Sequence, residues 1–393
     1  MAERIHVIQY TCGVSLGDNN GGAELFAVRL AQSLDPARFR VGIGAMWWYG
    51  SPSERRWQRT LADQGIEVFF GGPYRPHIYQ GMAGAFVGSL GQLRRLRPHI
   101  INTHVEFADT LGDAYRLLGI APILVRTGHN VLEWTFSRLA APIMHSIHPL
   151  VCTAEVGVSR AIVQQLDRRP VARLLQRRAL YIHNGVDNDV VLGQRTGQNM
   201  RATLGIAPDI PLFGVVARLA EQKGLSFLIR AMPLVRAELP GARLVIAGDG
   251  EQAEDLRALV EHHDLSDCVS LLGARSDAVD LIDSLDVFVL PSLWEGLPTV
   301  VMEAMLVDTP VVATDVAGTR DLVLDGQTGL LAPPRDPEAL AAAMLRQYRD
   351  RASARAMAQR ARAHVEEFSI RRAAQRYTAL YTRLYERRNI RNT

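Results

Sequence analysis

The densest combination of residues suited to chemistry is the segment PSLWEGLPTVVME at 291–303. It follows a predicted buried strand, DVFVLP at 286–291. Gly296 permits a tight turn after this strand, and Pro298 suits the first position of a helix, where its missing N–H is not needed. We therefore expect free backbone N–H groups at the carboxyl end of a strand, an anion site for a phosphate or diphosphate. These groups belong to Leu297, Thr299 and Val300.

Glu295 and Glu303 place one carboxyl group on each side of that expected anion site. Glu295 comes just before the helix, whereas Glu303 lies inside it, roughly 7–8 Å along the axis from Pro298. Carboxylates are poor ligands for phosphate and good acceptors for sugar hydroxyl groups. A sugar at Glu295, a diphosphate at the anion site and a ribose at Glu303 would use all three groups. The spacing therefore indicates a nucleotide sugar.

Two cations occur in one predicted strand-to-helix loop, VARLAEQKG at 216–224. Arg218 closes a strand, and Lys223, five residues later, is the only lysine among 44 basic residues. A position that keeps lysine in such a chain suggests a need for a compact ammonium group. Together the two cations would neutralise a diphosphate and stabilise it as a leaving group. In isolation, such a pair is more often a solvated charged loop.

These loops require parallel strands to position them, and the hydrophobic pattern predicts two sets. Short apolar runs alternate with helical stretches in the first half of the chain, and the alternation restarts in the second half. Two such runs predict an α/β protein with two doubly wound, Rossmann-like parallel sheets. The predicted strands are residues 4–10, 39–46, 66–70, 99–104, 122–127, 149–154, 211–218, 242–250, 268–273, 286–291 and 309–315.

The segment HNGVDNDVVLGQ at 183–194 is rich in Gly, Asn and Asp and is the expected linker. We therefore place a first domain at residues 1–188, joined by a C-terminal helix at about 370–393, and a second domain at residues 189–369. The length of 393 residues agrees with two domains.

Two Arg-rich helices are predicted near the end of the chain, at 336–366 and 369–388. In the second, Tyr377, Tyr381 and Tyr385 recur every four residues and so share one face. We expect this aromatic stripe to be the packed face of the helix.

Charge is unevenly distributed along the chain. The net charge is +5 over residues 1–190, −11 over residues 191–345 and +9 over residues 346–393. Two domains with different partners would explain this pattern. No recognisable nucleic-acid-binding module accompanies the basic regions, so an anionic membrane or a phosphate-bearing substrate is at least as good an interpretation.

Composition and cysteine usage favour a cytoplasmic protein. No run of about 18 apolar residues occurs, and the start, MAERIHVIQY, lacks the pattern of a signal peptide. The three cysteines, Cys12, Cys152 and Cys268, are odd in number and widely spaced, which fits neither a disulfide framework nor a zinc site.

The motifs as a set resemble the retaining glycosyltransferases of family 4, the glycosyl transferases group 1, whose GT-B fold has two Rossmann-like domains facing across a cleft. The resemblance covers most of residues 180–335 and is looser in the first half. Its motifs are NGVD at 184–187, ARL…KG at 217–224, GDG at 248–250, E-x7-E at 295–303, PVVATDVAGTRDLV at 310–323, TGLL at 328–331, GGAE at 21–24, His104 followed by Glu106, and VGVSRAIVQQL at 156–166.

The resemblance implies a role for each matched position in the second half. Glu303 would bind the ribose hydroxyls, and Glu295 would bind the transferred sugar near its reacting carbon. Arg218 and Lys223 would hold the diphosphate. Assigned to donor binding with them are Gly296, Leu297, Pro298, Thr299, Val300, and the GDG glycines Gly248 and Gly250. The base would be recognised near Leu271–Arg275, through Leu272 and Arg275.

In the first half, the resemblance implies that Gly21 and Gly22 let a loop approach the donor phosphates or the acceptor. His104 would point into the cleft beside the donor sugar as a catalytic residue. A histidine at the end of a strand is more often a structural residue, and Glu24 at the start of the first helix would also serve as a charge favourable to the helix dipole.

The implied mechanism is front-face substitution, because retention without a well-placed carboxylate nucleophile suggests it. The departing β-phosphate oxygen would accept the proton of the acceptor while Arg218 and Lys223 stabilise that oxygen. Asp187 and Asp189 form a D-x-D string in the linker that invites a metal site. We expect neither a metal nor another cofactor, because in this fold cations and a helix dipole replace the metal.

The acceptor is expected to be a glycan or a lipid-linked glycan. Four of the five tryptophans lie in the first half, at positions 47, 48, 57 and 134. They are either core residues or a surface that stacks on a sugar or enters a membrane interface. In the latter case nearby arginines would meet anionic lipid, giving peripheral contact with the inner face of the cytoplasmic membrane. These arginines are Arg55, Arg56, Arg59, Arg94, Arg95, Arg97 and those of 168–178.

The leading hypothesis is thus a hexosyltransferase of polysaccharide, lipopolysaccharide or glycolipid biosynthesis. A nucleotide-sugar epimerase shares the architecture but is not expected to carry both the E-x7-E and the Arg–Lys pair. A nicotinamide oxidoreductase is disfavoured because the first strand leads to spaced glycines and not to G-x-G-x-x-G. A non-catalytic nucleotide-sugar-binding module would keep the second-half site and lose the first-half motifs, which are present.

Overall fold

The computed structural model describes residues 4–14, 21–131 and 140–392, which form two compact units. Unit 1 contains residues 1–185 and 370–393, and unit 2 contains residues 186–369. Each unit has one parallel β-sheet, as the two runs of strand–helix units predict.

The sheet of unit 1 has seven strands in the order β3-β2-β1-β4-β5-β6-β7. Each strand pairs in parallel with its neighbours, and the order reverses between β1 and β4, which makes this a doubly wound sheet. The strands are β1 (Ile5–Thr11), β2 (Phe39–Trp48), β3 (Glu67–Pro73), β4 (Ile100–Thr103), β5 (Ile123–Gly128), β6 (Ala154–Gly157) and β7 (Leu180–Tyr181).

Helices cover both faces of this sheet, so its strands are apolar on both sides. Ile5 and Val7 of β1 belong to one hydrophobic core, and Ile8 and Tyr10 belong to the other. The helices are α1 (Gly22–Ser33), α2 (Pro52–Asp63), α3 (Ile78–Leu96), α4 (Glu106–Leu117), α5 (Ala140–Val151), α6 (Arg160–Arg168), α7 (Pro170–Leu174) and, from the end of the chain, α16 (Ile370–Asn392).

The sheet of unit 2 has six strands in the corresponding order, β10-β9-β8-β11-β12-β13. Its strands are β8 (Leu212–Val216), β9 (Arg243–Ala247), β10 (Val269–Gly273), β11 (Val287–Leu290), β12 (Val311–Thr314) and β13 (Leu330–Ala332). Its helices are α8 (Asn188–Gly193), α9 (Met200–Thr203), α10 (Leu225–Glu238), α11 (Ala253–His262), α12 (Ala278–Asp283), α13 (Thr299–Leu306), α14 (Pro337–Arg349) and α15 (Arg351–Val365).

Two predicted elements differ from the structure. Residues 149–154 are not a strand: α5 runs to Val151 and β6 begins at Ala154. A short apolar run does not distinguish a buried helix end from a buried strand, which explains this error. The predicted helix 336–366 is two helices, because the side chain of Asp350 caps a new helix by accepting from the N–H of Ser353.

The aromatic stripe of α16 packs as predicted. Tyr377 and Tyr381 are fully buried in the core of unit 1, and Tyr385 is partly buried against that core. The last helix of the chain is therefore part of unit 1.

Candidate functional site

In unit 2, the strand order reverses between β8 and β11. The loops that leave the carboxyl ends of these two neighbouring strands carry the residues singled out above, Arg218 and Lys223 after β8 and Glu295 after β11. In doubly wound sheets this reversal opens a crevice between the two loops, where ligands bind. The strand order thus brings together two motifs that are about 70 residues apart in the sequence.

The start of α13 is open to a ligand, with one correction to the expected geometry. Pro298 has an extended backbone and is the N-cap, not the first helical residue, which is Thr299. No side chain caps the helix. The N–H groups of Thr299 and Val300 belong to the first turn and so have no acceptor within the helix. Leu297 is buried, whereas Thr299 and Val300 are half-buried.

Lys223 and Glu295 form an ion pair, which the sequence analysis did not anticipate. The Nζ of Lys223 lies 2.6 Å from Oε1 of Glu295, and the hydroxyl of Ser292 donates to the same oxygen at 2.6 Å. The Glu295 side chain is 6% exposed and that of Lys223 is 18% exposed. Within the described part of the chain, Oε2 of Glu295 has no hydrogen-bond partner, so this oxygen is left for a ligand.

The two loops that carry this pair are bonded to each other. The side-chain amide of Gln222 donates to the carbonyl of Trp294 at 3.0 Å, and the N–H of Leu293 donates to the carbonyl of Gln222 at 2.8 Å. Gly224 has a positive φ of 59°, and a Cβ there would lie 2.3 Å from the carbonyl oxygen of Pro291. Sequence reasoning missed Ser292 and Gln222, for which the only signal was their place in the two motifs.

Arg218 is exposed, and among the described residues its guanidinium group has no acidic partner. Its loop packs closely on the GDG glycines. A Cβ on Gly248 would lie 1.8 Å from the carbonyl oxygen of Ala217, and one on Gly250 would lie 2.5 Å from that of Leu219. These glycines therefore make room for the backbone that carries Arg218.

Glu303 is half-buried in α13. In the described ranges 4–14, 21–131 and 140–392, no cation or hydrogen-bond donor faces its carboxyl group. Burial raises the pKa of this carboxyl group to about 7, since no partner stabilises its charged form. An unpaired carboxyl group of this kind is suited to accept hydrogen bonds from ligand hydroxyls.

Leu272 and Arg275 lie at the carboxyl end of β10, which β9 separates from β8. Leu272 is half-buried. The guanidinium of Arg275 makes two hydrogen bonds to the carboxylate of Asp277, at 2.7 and 2.5 Å, and this contact raises the pKa of Arg275. Arg275 is thus engaged with Asp277, which the sequence analysis did not identify.

In unit 1, Gly21 is the N-cap of α1, and Gly22 is its first residue. The N–H of Gly21 donates to the carboxylate of Glu24 at 3.1 Å. This contact holds the Glu24 carboxylate at the start of α1, where its charge is favourable to the helix dipole, the alternative given for this residue. Most of the glycine-containing loop before Gly21, residues 15–20, lies outside the described residues.

His104 is fully buried at the end of β4. Its Nε2 lies 2.8 Å from Oε1 of Gln9 and 3.1 Å from Nδ2 of Asn102, and its Nδ1 lies 3.1 Å from Nε2 of His129. Burial and the neighbouring His129 hold the pKa of His104 well below its usual range. Both ring nitrogens are therefore engaged, and the structural alternative describes His104 better.

The tryptophans of the first half differ in exposure. Trp47 is buried, Trp48 is 46% exposed, and Trp57 is partly buried against the core with Arg29 over its ring. Trp134 lies outside the described residues. None of the described helices has both the length and the apolar character needed to cross a bilayer.

Two groups of possible metal ligands have internal partners. Asp187 of the D-x-D string caps α8, accepting from the N–H of Val190 at 3.3 Å. In unit 1, potential ligand atoms of Asp113, His148 and Cys152 lie within 4.8 Å of one another. The Nδ1 of His148 lies 2.7 Å from Oδ2 of Asp113, and the Cys152 thiol donates to Oδ1.

Comparison with known sequences finds a family match in the second half of the chain. Residues 210–350 match the family model described as glycosyl transferases group 1, in agreement with the resemblance. The amylovoran biosynthesis glycosyltransferase AmsK of Erwinia amylovora is 36% identical over 159 residues, or 38% of this chain and 39% of that protein. Alignments with three other curated relatives span 36%, 42% and 29% of their lengths.

Comparison with solved structures extends over nearly the whole chain. HepE of Anabaena, in complex with UDP and glucose, has a TM-score of 0.80 at 20% identity, covering 96% of this chain and 100% of that chain. Sucrose-phosphate synthase of Thermosynechococcus elongatus has a TM-score of 0.80 at 22% identity, covering 98% and 100%. At these identities the likeness shows the fold, and the expected GT-B class with two Rossmann-like domains is confirmed.

Proposed function

We propose that the protein is a retaining glycosyltransferase of polysaccharide, lipopolysaccharide or glycolipid biosynthesis, which transfers a hexose from a nucleotide-diphosphate sugar. The observation that carries this proposal is the site at the strand reversal of unit 2. An uncapped helix start, an exposed unpaired arginine and a lysine–glutamate pair come together there, on two loops that are bonded to each other.

The diphosphate binds at the start of α13. The first-turn N–H groups and the Thr299 hydroxyl are donors to phosphate oxygens, and Arg218 and Lys223 supply two positive charges. Lys223 uses one of its three N–H bonds for Glu295, so two remain for a phosphate oxygen. Glu303 accepts hydrogen bonds from the ribose hydroxyls.

Glu295 binds the transferred sugar through Oε2. Because Lys223 and Ser292 both donate to Oε1, the carboxylate is stabilised and is a poor nucleophile. This supports front-face substitution over a covalent glycosyl-enzyme. The bond from the anomeric carbon to the β-phosphate oxygen breaks, the acceptor oxygen bonds to the same face, and its proton passes to the departing phosphate.

The acceptor is a glycan or a lipid-linked glycan, encountered in the cytoplasm or at the inner face of its membrane. The HepE structure contains UDP and glucose, and AmsK is named for amylovoran biosynthesis, which supports a nucleotide sugar and a polysaccharide. The reaction needs no metal, because Arg218, Lys223 and the helix start carry the positive potential. Activity that survives a chelator supports this part of the proposal, and loss reversed by Mg²⁺ or Mn²⁺ contradicts it.

The first test is thermal stabilisation by UDP-, GDP-, ADP- and dTDP-sugars without metal. One nucleotide should raise the unfolding temperature, since a ligand at 100 times its Kd stabilises a protein by about 2.7 kcal/mol. Arg218→Ala should abolish the shift without unfolding the protein, because Arg218 is exposed. Arg257→Ala, also exposed in unit 2, is the matched control and should retain it.

Measurement of turnover distinguishes a glycosyltransferase from an epimerase and from a non-catalytic binding module. Incubation of the protein with the stabilising nucleotide sugar and a glycan acceptor should release the nucleoside diphosphate only when the acceptor is present. An epimerase would convert the sugar without an acceptor, and a non-catalytic module would bind without turnover. No stabilisation by any of the four nucleotide sugars contradicts the assignment of the site.

A further inference from the structure

A second positively charged site lies at the opposite edge of unit 1 from the carboxyl ends of its strands. A cavity of about 240 Å³ opens where β6 and β7 begin and where α6 and α7 meet the last turns of α16. Five arginines and two carboxylates line it: Arg169, Arg177, Arg178, Arg383, Arg387, Glu155 and Asp167. Its place at the amino ends of the strands separates it from the edge where ligands of doubly wound sheets bind.

The two carboxylates do not neutralise this cavity. Glu155 is already shared by the buried Arg126 and Arg169, and Asp167 accepts from Arg178 at 3.4 Å. Arg383 and Arg387 are exposed and lie one turn apart on α16, so their like charges are close together. Among the described residues, neither has an acidic partner.

Arg169 lines this cavity and is only 6% exposed, and in the described part of the chain its buried Nη1 has no hydrogen-bond partner. A buried donor without an acceptor is unusual and unfavourable. An anion with several acceptor oxygens, such as a phosphate group, would pair with the accessible guanidinium groups of Arg383 and Arg387.

Large apolar side chains are exposed at the same edge. Leu174 is 82% exposed and Leu175 is 42% exposed, and both immediately precede Gln176 and Arg177 of the arginine-rich loop. Three further residues end helices at this edge: Leu117 on α4, Leu150 on α5 and Ile390 on α16, with 72%, 58% and 74% exposure. Helices that cross back between parallel strands end where the next strand begins, which places Leu117 and Leu150 at this edge. The end of α16 lies there too, because Arg388 donates to the carbonyl of Pro122 just before β5.

We propose that this amino-terminal edge of unit 1 binds an anionic phospholipid membrane, with the arginine-lined cavity holding the phosphate of a lipid headgroup. A free phosphate would account for the arginines and leaves the exposed leucines unexplained. A bilayer with anionic lipids accounts for both, because its surface attracts arginine and its interface takes up aliphatic side chains. The proposal uses residues of unit 1 and does not depend on the donor site of unit 2.

The test is co-sedimentation of the full chain with vesicles of 70% phosphatidylcholine and 30% phosphatidylglycerol at low salt. Binding is expected to these vesicles and not to pure phosphatidylcholine. Arg383→Gln with Arg387→Gln should weaken partitioning about 25-fold, or about fivefold for each lost charge. Leu174→Ser with Leu175→Ser should also weaken it, by at least threefold, since it removes the two aliphatic side chains.

Arg230→Gln with Arg355→Gln is the matched control, because it removes two exposed arginines of unit 2 and should change partitioning less than twofold. An equal loss in this control means general charge attraction and overturns the proposal. Absence of vesicle binding also overturns it, including the case in which inorganic phosphate alone stabilises the protein through Arg383 and Arg387. Nucleotide-sugar stabilisation, measured in parallel, tests the proposed function separately.

Discussion

The two sheets have the same strand order at their reversals, yet the polar groups found there differ. In unit 2, the reversal between β8 and β11 presents groups with unused bonding capacity: one oxygen of Glu295, the carboxyl of Glu303 and the guanidinium of Arg218. In unit 1, the corresponding reversal between β1 and β4 holds polar side chains that are bonded mainly to one another, with the buried hydroxyl of Thr11 at the end of β1 as an exception. Asn102 donates to Gln9 and accepts from Thr127.

The last helix of the chain completes this network in unit 1. The hydroxyl of Tyr377 lies 3.0 Å from that of Thr127, and the hydroxyl of Tyr381 accepts from the side-chain amide of Gln9. A buried network whose members are mostly bonded to one another specifies a core, whereas accessible groups with unused bonding capacity are available to a ligand. A strand reversal alone therefore does not predict a binding site. Accessible polar groups with unused bonding capacity at the reversal are the better indicator.

The largest effect should follow a change at the unsatisfied site. Glu295→Gln keeps the shape of the side chain and removes the charge opposite Lys223, so turnover should fall about 10²–10³-fold, as for loss of one preorganised electrostatic contact. Stability should change little, because the amide still accepts from Ser292. Initial rates of nucleotide release measure this, with the exposed Glu254→Gln as the control. A loss below tenfold would remove Glu295 from the reaction.

Glu303→Gln should change stability and binding in opposite directions. The pKa of Glu303 is raised from 4.5 to about 7, so its contribution to stability is present below pH 4.5 and is lost as the pH rises through 7. The variant should therefore be more stable than the wild type by up to about 3 kcal/mol at pH 8, and equal to it at pH 4. Denaturant titrations at the two pH values measure the difference.

The pH dependence of donor affinity tests the same carboxyl group. If the ribose hydroxyls donate to the Glu303 carboxylate, wild-type affinity should rise about tenfold from pH 6 to pH 8, and the Gln variant should lose this dependence. Calorimetric titration with the stabilising nucleotide sugar measures both. A pH-independent wild-type affinity would contradict the ribose contact.

Lowering the pH should destabilise unit 1, whereas it favours the protonated form of Glu303 in unit 2. Burial lowers the pKa of His6 from 6.5 to about 4 and holds that of His104 well below its usual range. A depressed histidine pKa gives stability that is present above pH 6.5 and is lost as the pH falls toward 4. Unit 1 should lose about 2 kcal/mol for His6 alone between pH 7.5 and pH 5. Hydrogen exchange corrected for intrinsic rates should show protection falling in unit 1, and equal protection at both pH values would contradict this.

The smallest effect is expected from the satisfied network. Tyr377→Phe removes one hydroxyl from Thr127 and should reduce the free energy of unfolding by about 1 kcal/mol. Affinity for the donor should be unchanged. Denaturant unfolding and calorimetry together measure this, and a loss of donor affinity at constant stability would mean that unit 1 takes part in donor binding.

The sequence located the start of α13 to within one residue because the signals for it are local. A glycine and a proline between a strand and a helix are enough. The contacts of His104 could not be predicted because they depend on distant partners: Gln9 lies 95 residues away and His129 lies 25 residues away. The pairing of Lys223 with Glu295, 72 residues apart, likewise emerges only when β8 and β11 become neighbours.

Because Lys223 is the only lysine, limited proteolysis can measure how often its loop opens. An endoproteinase that cleaves only after lysine has one target bond in the entire sequence, between Lys223 and Gly224. That bond lies in the loop whose side chains bond to Glu295 and to the carbonyl of Trp294. Cleavage therefore requires local unfolding of this loop. The rate at which the intact band disappears therefore records how often the loop opens, and a bound donor should slow it.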